Sequence, residues 1–240
     1  ARVDAPATVE RQNVWARGQL VTAIVVPPEA GADAVMDRLP EVSALLDERY
    51  RAYARARMYV SGADTALADT LDATRGYRMV LPSVYDRQVL PRADVFRNHA
   101  EMGGVLLRTI LVTWRPGVEA EPAPEKLLAW RDSAAAVAYD PGQTVERDRI
   151  ETHAMELDGR HALEVQGIWT SVDTSWPAAG PFMVRAVPCP RQNRTYYLDA
   201  WLYAPGKSKY EYMIQLQTLL DTFRCGANAG QKSVALAGAG

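Results

Sequence analysis

Residues 195–226 read TYYLDAWLYAPGKSKYEYMIQLQTLLDTFRCG. The alternation in TYYLDAWLYA assigns it to a β-strand, and Pro205-Gly206 marks a turn. Beyond the turn, Met213, Leu216, Leu220 and Phe223 recur at helical spacing. Ser208-Lys209-Tyr210-Glu211 has the form of a capping box, and Gly226 stands where a left-handed residue commonly stops a helix. The stretch is therefore a strand, a turn and a helix, the unit that closes a layered fold in which a helix lies back on its sheet.

Working outward, FMVRAVP (182–188) precedes this strand and pairs with it around Pro190 to Arg194. In HAMELDGRHALEVQGIW (153–169), Asp158-Gly159 separates two alternating runs, the strongest short-range hairpin signal. VLLRTILVTW (105–114) and YRMVL (77–81) read as strands, and a helix is expected from Pro124 to about Tyr139 with its proline in the first turn. From Tyr77 the order is two strands, a helix, four strands and a helix. Hairpins between helices predict an α+β fold, an antiparallel sheet flanked by helices.

The first part of the chain reads differently. LVTAIVV (20–26) is a short buried strand closed by Pro27-Pro28. Asp33 caps a helix that is kinked or restarted at Pro40, and Val42, Leu45, Leu46, Tyr50 and Tyr53 continue the helical period. Asp64 starts a further helix that stops before Gly76. The expected division is an N-terminal α/β portion over 1–75, with one strand and two or three helices, the sheet-containing portion over 76–226, and a disordered tail over 227–240. One strand makes no sheet alone, so the N-terminal portion is expected to borrow partners from the second half or from sequence preceding this chain.

Composition removes several function classes. The chain has 240 residues, 48% hydrophobic and 23% charged, enough to bury a core. A formal net charge of −2 supplies no basic field for nucleic acid, and no apolar run reaches the ~20 residues of a spanning helix. The start, ARVDAPATVERQNVW, is polar, lacks the pattern of a signal peptide and carries no initiator Met, as expected of a mature form or a fragment. Arg49, Arg51, Arg55 and Arg57 read as a solvated helix face. Cys189 and Cys225 are either two free thiols or one disulfide, according to compartment, and they have no metal-site spacing.

Catalytic signatures are missing. There is no GxSxG, GxGxxG or GxxxxGK[ST], and no cofactor motif. His153 and His161 flank the Asp158-Gly159 turn, with Glu151 and Glu156 nearby, but form no recognised ligand set, so no metal is expected. Glu164 and Asp199 interrupt apolar strands, as do Arg108 and Arg185. Cross-strand ion pairs account for all four, and a polar site on an open sheet face is the alternative. A hydrolase would draw on Glu164, Asp199 or the histidine hairpin.

One further feature invites a function. Alternation places Tyr196, Leu198, Ala200, Leu202 and Ala204 on one face of the aromatic strand, and Tyr197, Asp199, Trp201 and Tyr203 on the other. The first set is a plain core face. The second, joined by Trp169, is the candidate ligand or partner patch unless helices cover both faces of the sheet.

Several phrases together carry a resemblance: Asn13-Val14-Trp15-Ala16, Gly18-Gln19-Leu20-Val21, Gly76-Tyr77, Leu157-Asp158-Gly159-Arg160, Gly167-Ile168-Trp169, Gly180-Pro181-Phe182 and Tyr203-Ala204-Pro205-Gly206-Lys207, with Tyr212, Leu216 and Phe223 after them. From about Asn13 to Phe223 the chain resembles a family of uncharacterised bacterial cell-envelope proteins, many of them predicted lipoproteins, known as a domain of unknown function. The strand–helix order after Gly76 is also similar in topology to the PsbP-like sandwich, a fold that hosts mostly binding and assembly factors. The resemblance implies a periplasmic or outer-membrane-associated protein, with a lipid anchor on the precursor and another envelope protein as partner. A non-catalytic binding or assembly module is expected, with a hydrolase-type enzyme or a structural subunit of an envelope assembly as alternatives. In an oxidising compartment Cys189 and Cys225 would pair, tying the end of the last helix to a strand.

Overall fold

The computed structural model describes residues 3–100, 105–119, 122–140 and 142–226, so the tail expected to be disordered, 227–240, lies outside them. The chain forms two compact units, Ala1–Ala54 and Arg55–Gly240.

In the first unit β1 (Ala7–Gln12) pairs antiparallel with β2 (Leu20–Val25), in register from Ala7 opposite Val25 to Gln12 opposite Leu20. Two helices follow, α1 (Ala32–Met36) and α2 (Leu39–Met58), whose residues 55–58 belong with the second unit. The hairpin corrects the expectation that β2 borrows its partner from elsewhere. β1, ATVERQ, ends in charged and polar residues and presents no apolar run, which is why it does not announce itself. Its link to β2 works because Asn13 adopts φ 57° and its Oδ1 accepts from the Gly18 amide at 2.6 Å. Arg38 donates to the Pro6 carbonyl at 2.8 Å, tying the helical part of this unit to its hairpin.

The second unit opens on β3 (Ala63–Asp64) and α3 (Thr65–Arg75). Asp64 caps α3 by accepting from the Leu67 amide at 2.8 Å, and Gly76 ends it at φ 79°, both as the sequence predicts. Leu71 of α3 is fully buried in this unit's core, so the helix belongs with the sheet. In place of one strand over 77–81 come two short ones, β4 (Tyr77–Arg78) and β5 (Leu81–Pro82). Then follow β6 (Asp86–Leu90), β7 (Ala93–Ala100), β8 (Leu106–Pro116), α4 (Pro124–Ala138), β9 (Gln143–Val145), β10 (Glu151–Leu157), β11 (Arg160–Ser171), β12 (Ala179–Cys189), β13 (Arg194–Tyr203), α5 (Tyr210–Asp221) and β14 (Arg224–Cys225). β6 and β7 are not anticipated from sequence, because charged residues, Arg87 and Asp94 among them, break their apolar pattern.

The main sheet runs β10-β11-β12-β13-β8-β7-β6 with β9 also on β11, every pair antiparallel. The fold class is α+β with helices on both faces. One face buries Tyr196, Leu198, Ala200 and Leu202 of β13 against Leu71 of α3 and Leu216, Leu219 and Leu220 of α5. The other buries Tyr197 and Trp201 with Val184 and Trp169 against Leu127 and Trp130 of α4. The two halves of the β13 alternation therefore serve two separate cores.

Two expected caps are not formed. α5 is entered from Lys209 without a side-chain cap, so Ser208-Glu211 makes no capping box. Gly226 follows β14 instead of the helix, and its amide donates to the Gly76 carbonyl at 2.9 Å. The chain turns into a strand there because β14 is held beside β4, with Cys225 opposite Tyr77.

Glycine is required at Gly180 by close approach. The Trp169 indole reaches across it to donate to the Leu202 carbonyl at 3.2 Å, and a Cβ at residue 180 would sit 1.9 Å from that oxygen. Gly180→Ala should lower stability in urea denaturation by about 1–3 kcal/mol, the usual cost of overpacking. An unchanged midpoint would show that β13 moves aside freely.

Candidate functional site

The sheet separates the acids that a hydrolytic site would need. Glu164 lies on the α5 face opposite Arg185, whose Nε donates to its Oε2 at 2.5 Å, while a second nitrogen of Arg185 contacts Asp221 at 2.8 Å. This is the cross-strand pair that the sequence suggests. Asp199 lies on the α4 face and is not paired across strands. Arg131 of α4 donates to its Oδ1 at 2.9 Å and Tyr139 to its Oδ2 at 2.7 Å. Arg131 also donates to Gln143 at 2.8 Å and stacks on the Phe182 ring at 4.0 Å. Burial pushes the Asp199 carboxyl up, against the opposing pull of Arg131 and Tyr139. Burial, followed by the Asp199 charge, holds the Tyr139 phenol well above its ordinary range. A third buried acid, Asp94, was not singled out from sequence. It accepts from Arg87 at 2.7 and 2.9 Å and from Tyr77 at 2.9 Å, with Arg75 at 3.3 Å.

The histidines do not converge. His153 stands opposite Glu164 and His161 opposite Glu156, and the odd spacing along β11 puts the two on opposite faces of the hairpin. His153 is within 3.7 Å of Glu151, and no metal-capable grouping occurs among the described residues.

The aromatic patch is covered. Tyr197, Asp199, Trp201 and Trp169 are buried under α4, where they form a second core layer rather than an open surface. Trp130 stacks on Tyr197 at 4.7 Å and 18°, and Tyr139 and Trp169 each meet Trp201 edge-on at 5.4 and 5.3 Å. The patch reaches the surface at its two ends. At one, Tyr203 is half-buried 5.5 Å from Trp176, which is 43% exposed. At the other, Tyr197 lines a cleft of about 610 Å³ with Arg115, Glu119, Lys126 and Trp130. Its hydroxyl donates to Glu119 at 3.3 Å, and Lys126 lies 3.4 Å from the same carboxylate.

A second cavity, of about 370 Å³, lies on the α5 face. Sequence reasoning read Arg108 as half of an ion pair. It instead projects from β8 into this cavity, stacks on Tyr212 at 5.8 Å and donates through Nη1 to Gln215 at 3.1 Å. Nothing in its local sequence distinguishes a paired arginine from one at a cavity.

Cys189 and Cys225 form a disulfide with a Cα–Cα separation of 5.9 Å, joining the end of β12 to β14. Gln192 donates to the Gly76 and Gly226 carbonyls at 2.6 Å each beside it. No helix among the described residues is long and apolar enough to cross a membrane.

No curated protein matches the chain. Among solved structures, it is similar to the Ran-binding protein Mog1p of Saccharomyces cerevisiae, at 10% identity and a TM-score of 0.39 over 62% of this chain and 90% of that one. It is also similar to cyanobacterial PsbP from Synechocystis, at 13% identity and a TM-score of 0.40 over 66% of this chain and 89% of that one. Residues 70–222, from α3 to the end of α5, match the family described as Domain of unknown function (DUF4837), and the chain belongs to that family.

Proposed function

We propose that this protein is a non-catalytic binding or assembly module of the bacterial cell envelope, with another envelope protein as its partner. The observation that carries the reading is the fate of the acidic groups in the sheet. Asp199, Glu164 and Asp94 are each committed to guanidinium or phenol partners at three separate places, which leaves no converging pair among them for acid–base work. The disulfide supports an oxidising compartment, where such a clip persists. The first unit supports assembly, because among its described residues Pro27 and Ala54 are the buried ones, and a hairpin with so little buried surface gains stability from a partner. A lipid anchor on the precursor belongs to the same proposal.

The test is purification of the full-length protein from envelope fractions after mild cross-linking. The expected result is a stable envelope protein recovered with it and absent from a cytosolic preparation. Recovery of no partner, together with a bound small molecule, would count against assembly.

A further inference from the structure

We propose that the turn joining β1 to β2, residues 13–18, is a contact for the headgroup region of an anionic phospholipid bilayer, with Trp15 as its inserting side chain. The inference goes beyond the envelope reading and does not depend on it. It rests on residues of the first unit, and failure to recover a protein partner would leave it standing.

The argument starts from the indole. Trp15 is 77% exposed, more than any other aromatic residue among those described, and Val14 beside it is 45% exposed. A single exposed apolar residue is ordinary on a protein surface. Here two are adjacent at the tip of a two-stranded ribbon, where an approaching surface is met first. The tip alone is too small for a stable protein interface, which takes roughly 800 Å² from each partner. A bilayer makes no such demand. An indole has an apolar ring and one N–H donor, and it partitions to the boundary between headgroups and acyl chains.

The turn is also built to leave water cheaply. The Asn13 amide donates to the Gln19 carbonyl at 2.8 Å and the Gln19 amide to the Ala16 carbonyl at 3.2 Å. The Trp15 amide donates to Gln19 Oε1 at 3.2 Å and the Gly18 amide to Asn13 Oδ1 at 2.6 Å. These backbone donors carry their partners with them, which lowers the cost of entering a less polar medium.

Charge selects the kind of surface. Between Glu10 and Glu29 the chain has two arginines, Arg11 and Arg17, and no acid. Both are exposed, and neither forms an ion pair among the described residues. Glu10, the nearest acid in sequence, is 3.5 Å from Arg49. The net charge of the whole chain is −2, but charges more than about 8 Å away are largely screened at physiological ionic strength. An anionic bilayer touching the tip therefore meets two cations beside an indole, the composition of an interfacial contact.

The test tethers the full chain to vesicles through a flexible C-terminal linker ending in one added cysteine, coupled to a maleimide lipid. Cys189 and Cys225 are bonded to each other, so the added thiol alone reacts. The tether supplies the effective concentration that a contact through one indole needs. Vesicles of phosphatidylglycerol and phosphatidylcholine in equal parts carry brominated acyl chains, which quench an indole on contact. The expected result is quenching of the parent protein that disappears in Trp15→Ala, with the thermal midpoint retained because the side chain is exposed. Arg11→Gln and Arg17→Gln should each lower the ratio of inserted to free turn by about fivefold. Vesicles of phosphatidylcholine alone should quench far less, a comparison that needs no variant. Absence of quenching in the parent, quenching that survives Trp15→Ala, or equal quenching on phosphatidylcholine alone would each overturn the assignment. No quenching, together with a protein retained by the parent and not by Trp15→Ala, would give the turn to a protein partner instead.

Discussion

Arg131→Met should destabilise the protein by about 3–5 kcal/mol at neutral pH, the cost of removing one partner from a buried ion pair. In a chain of this size that corresponds to a thermal midpoint lower by roughly 6–20 °C. Arg131 and Asp199 are both 0% exposed, so neither charge can turn to water when the other is lost. The methionine fills much of the space over Phe182, and the loss therefore reports the stranded carboxylate more than a void.

The sign with pH follows from the same group. Burial already raises the Asp199 carboxyl above its ordinary value, and Arg131 opposes that rise. Removing Arg131 raises it further. An acid whose folded-state pKa lies above its unfolded value costs stability as pH climbs from the ordinary carboxylate range through the folded value. The defect of Arg131→Met should thus be largest at neutral pH and should shrink as pH falls and Asp199 takes up a proton. The double change Arg131→Met with Asp199→Leu should recover most of the loss, since an apolar replacement of the whole pair strands no charge. Chemical denaturation of the two variants across pH makes the measurement. A single variant less than about 1 kcal/mol below the parent, or equally impaired at all pH values, would mean that Asp199 finds water or another partner.

The second large effect belongs to the disulfide. Replacing Cys189 and Cys225 together by alanine should cost about 3–4 kcal/mol, the chain-entropy value for a closed loop spanning a sequence separation of 36. The physical reason lies in what the loop contains: η-turn residues Pro190–Gln192, all of β13 and all of α5, a large part of one core and a smaller part of the other. Uncrosslinked, the unfolded chain gains freedom over that whole segment. The folded state keeps its other ties at this end, the Gln192 bonds and the 3.1 Å bond from the Cys225 amide to Asp158, so the variant should still fold. Denaturation midpoints of the parent, oxidised and reduced, and of the double-alanine variant give the comparison. An oxidised parent no more stable than the alanine variant would contradict the expectation.

Much of the fold is legible in the chain because the strands involved are long and their period is unambiguous. β8, β11, β12 and β13 stand where alternation and Asp158-Gly159 put them, and α4 begins at its proline. The failures have separate causes. β6 and β7 carry Arg87 and Asp94 in their pattern, and these charges are tolerated only because they meet each other, Arg75 and Tyr77 in three dimensions. β1 is polar and short. The Ser208 box is locally plausible, yet α5 starts after Lys209 with no side-chain cap.

The candidate patch shows where local reading ends. A strand period of two requires that Tyr197, Asp199, Trp201 and Tyr203 share a face, whatever surrounds them. Whether that face is a binding surface or a core depends on which side α4 takes, and no local period encodes the side a helix packs on. Arg131 reaches Asp199 over a sequence separation of 68 residues, and the Cys189–Cys225 pairing and the bond from Arg108 to Gln215 are likewise products of long-range approach. The sequence by itself determined the elements and which residues face together, because those follow from backbone geometry. Only the tertiary structure decided which charges are neutralised, which face is closed and where a cavity remains, because those depend on partners that the chain brings together by packing.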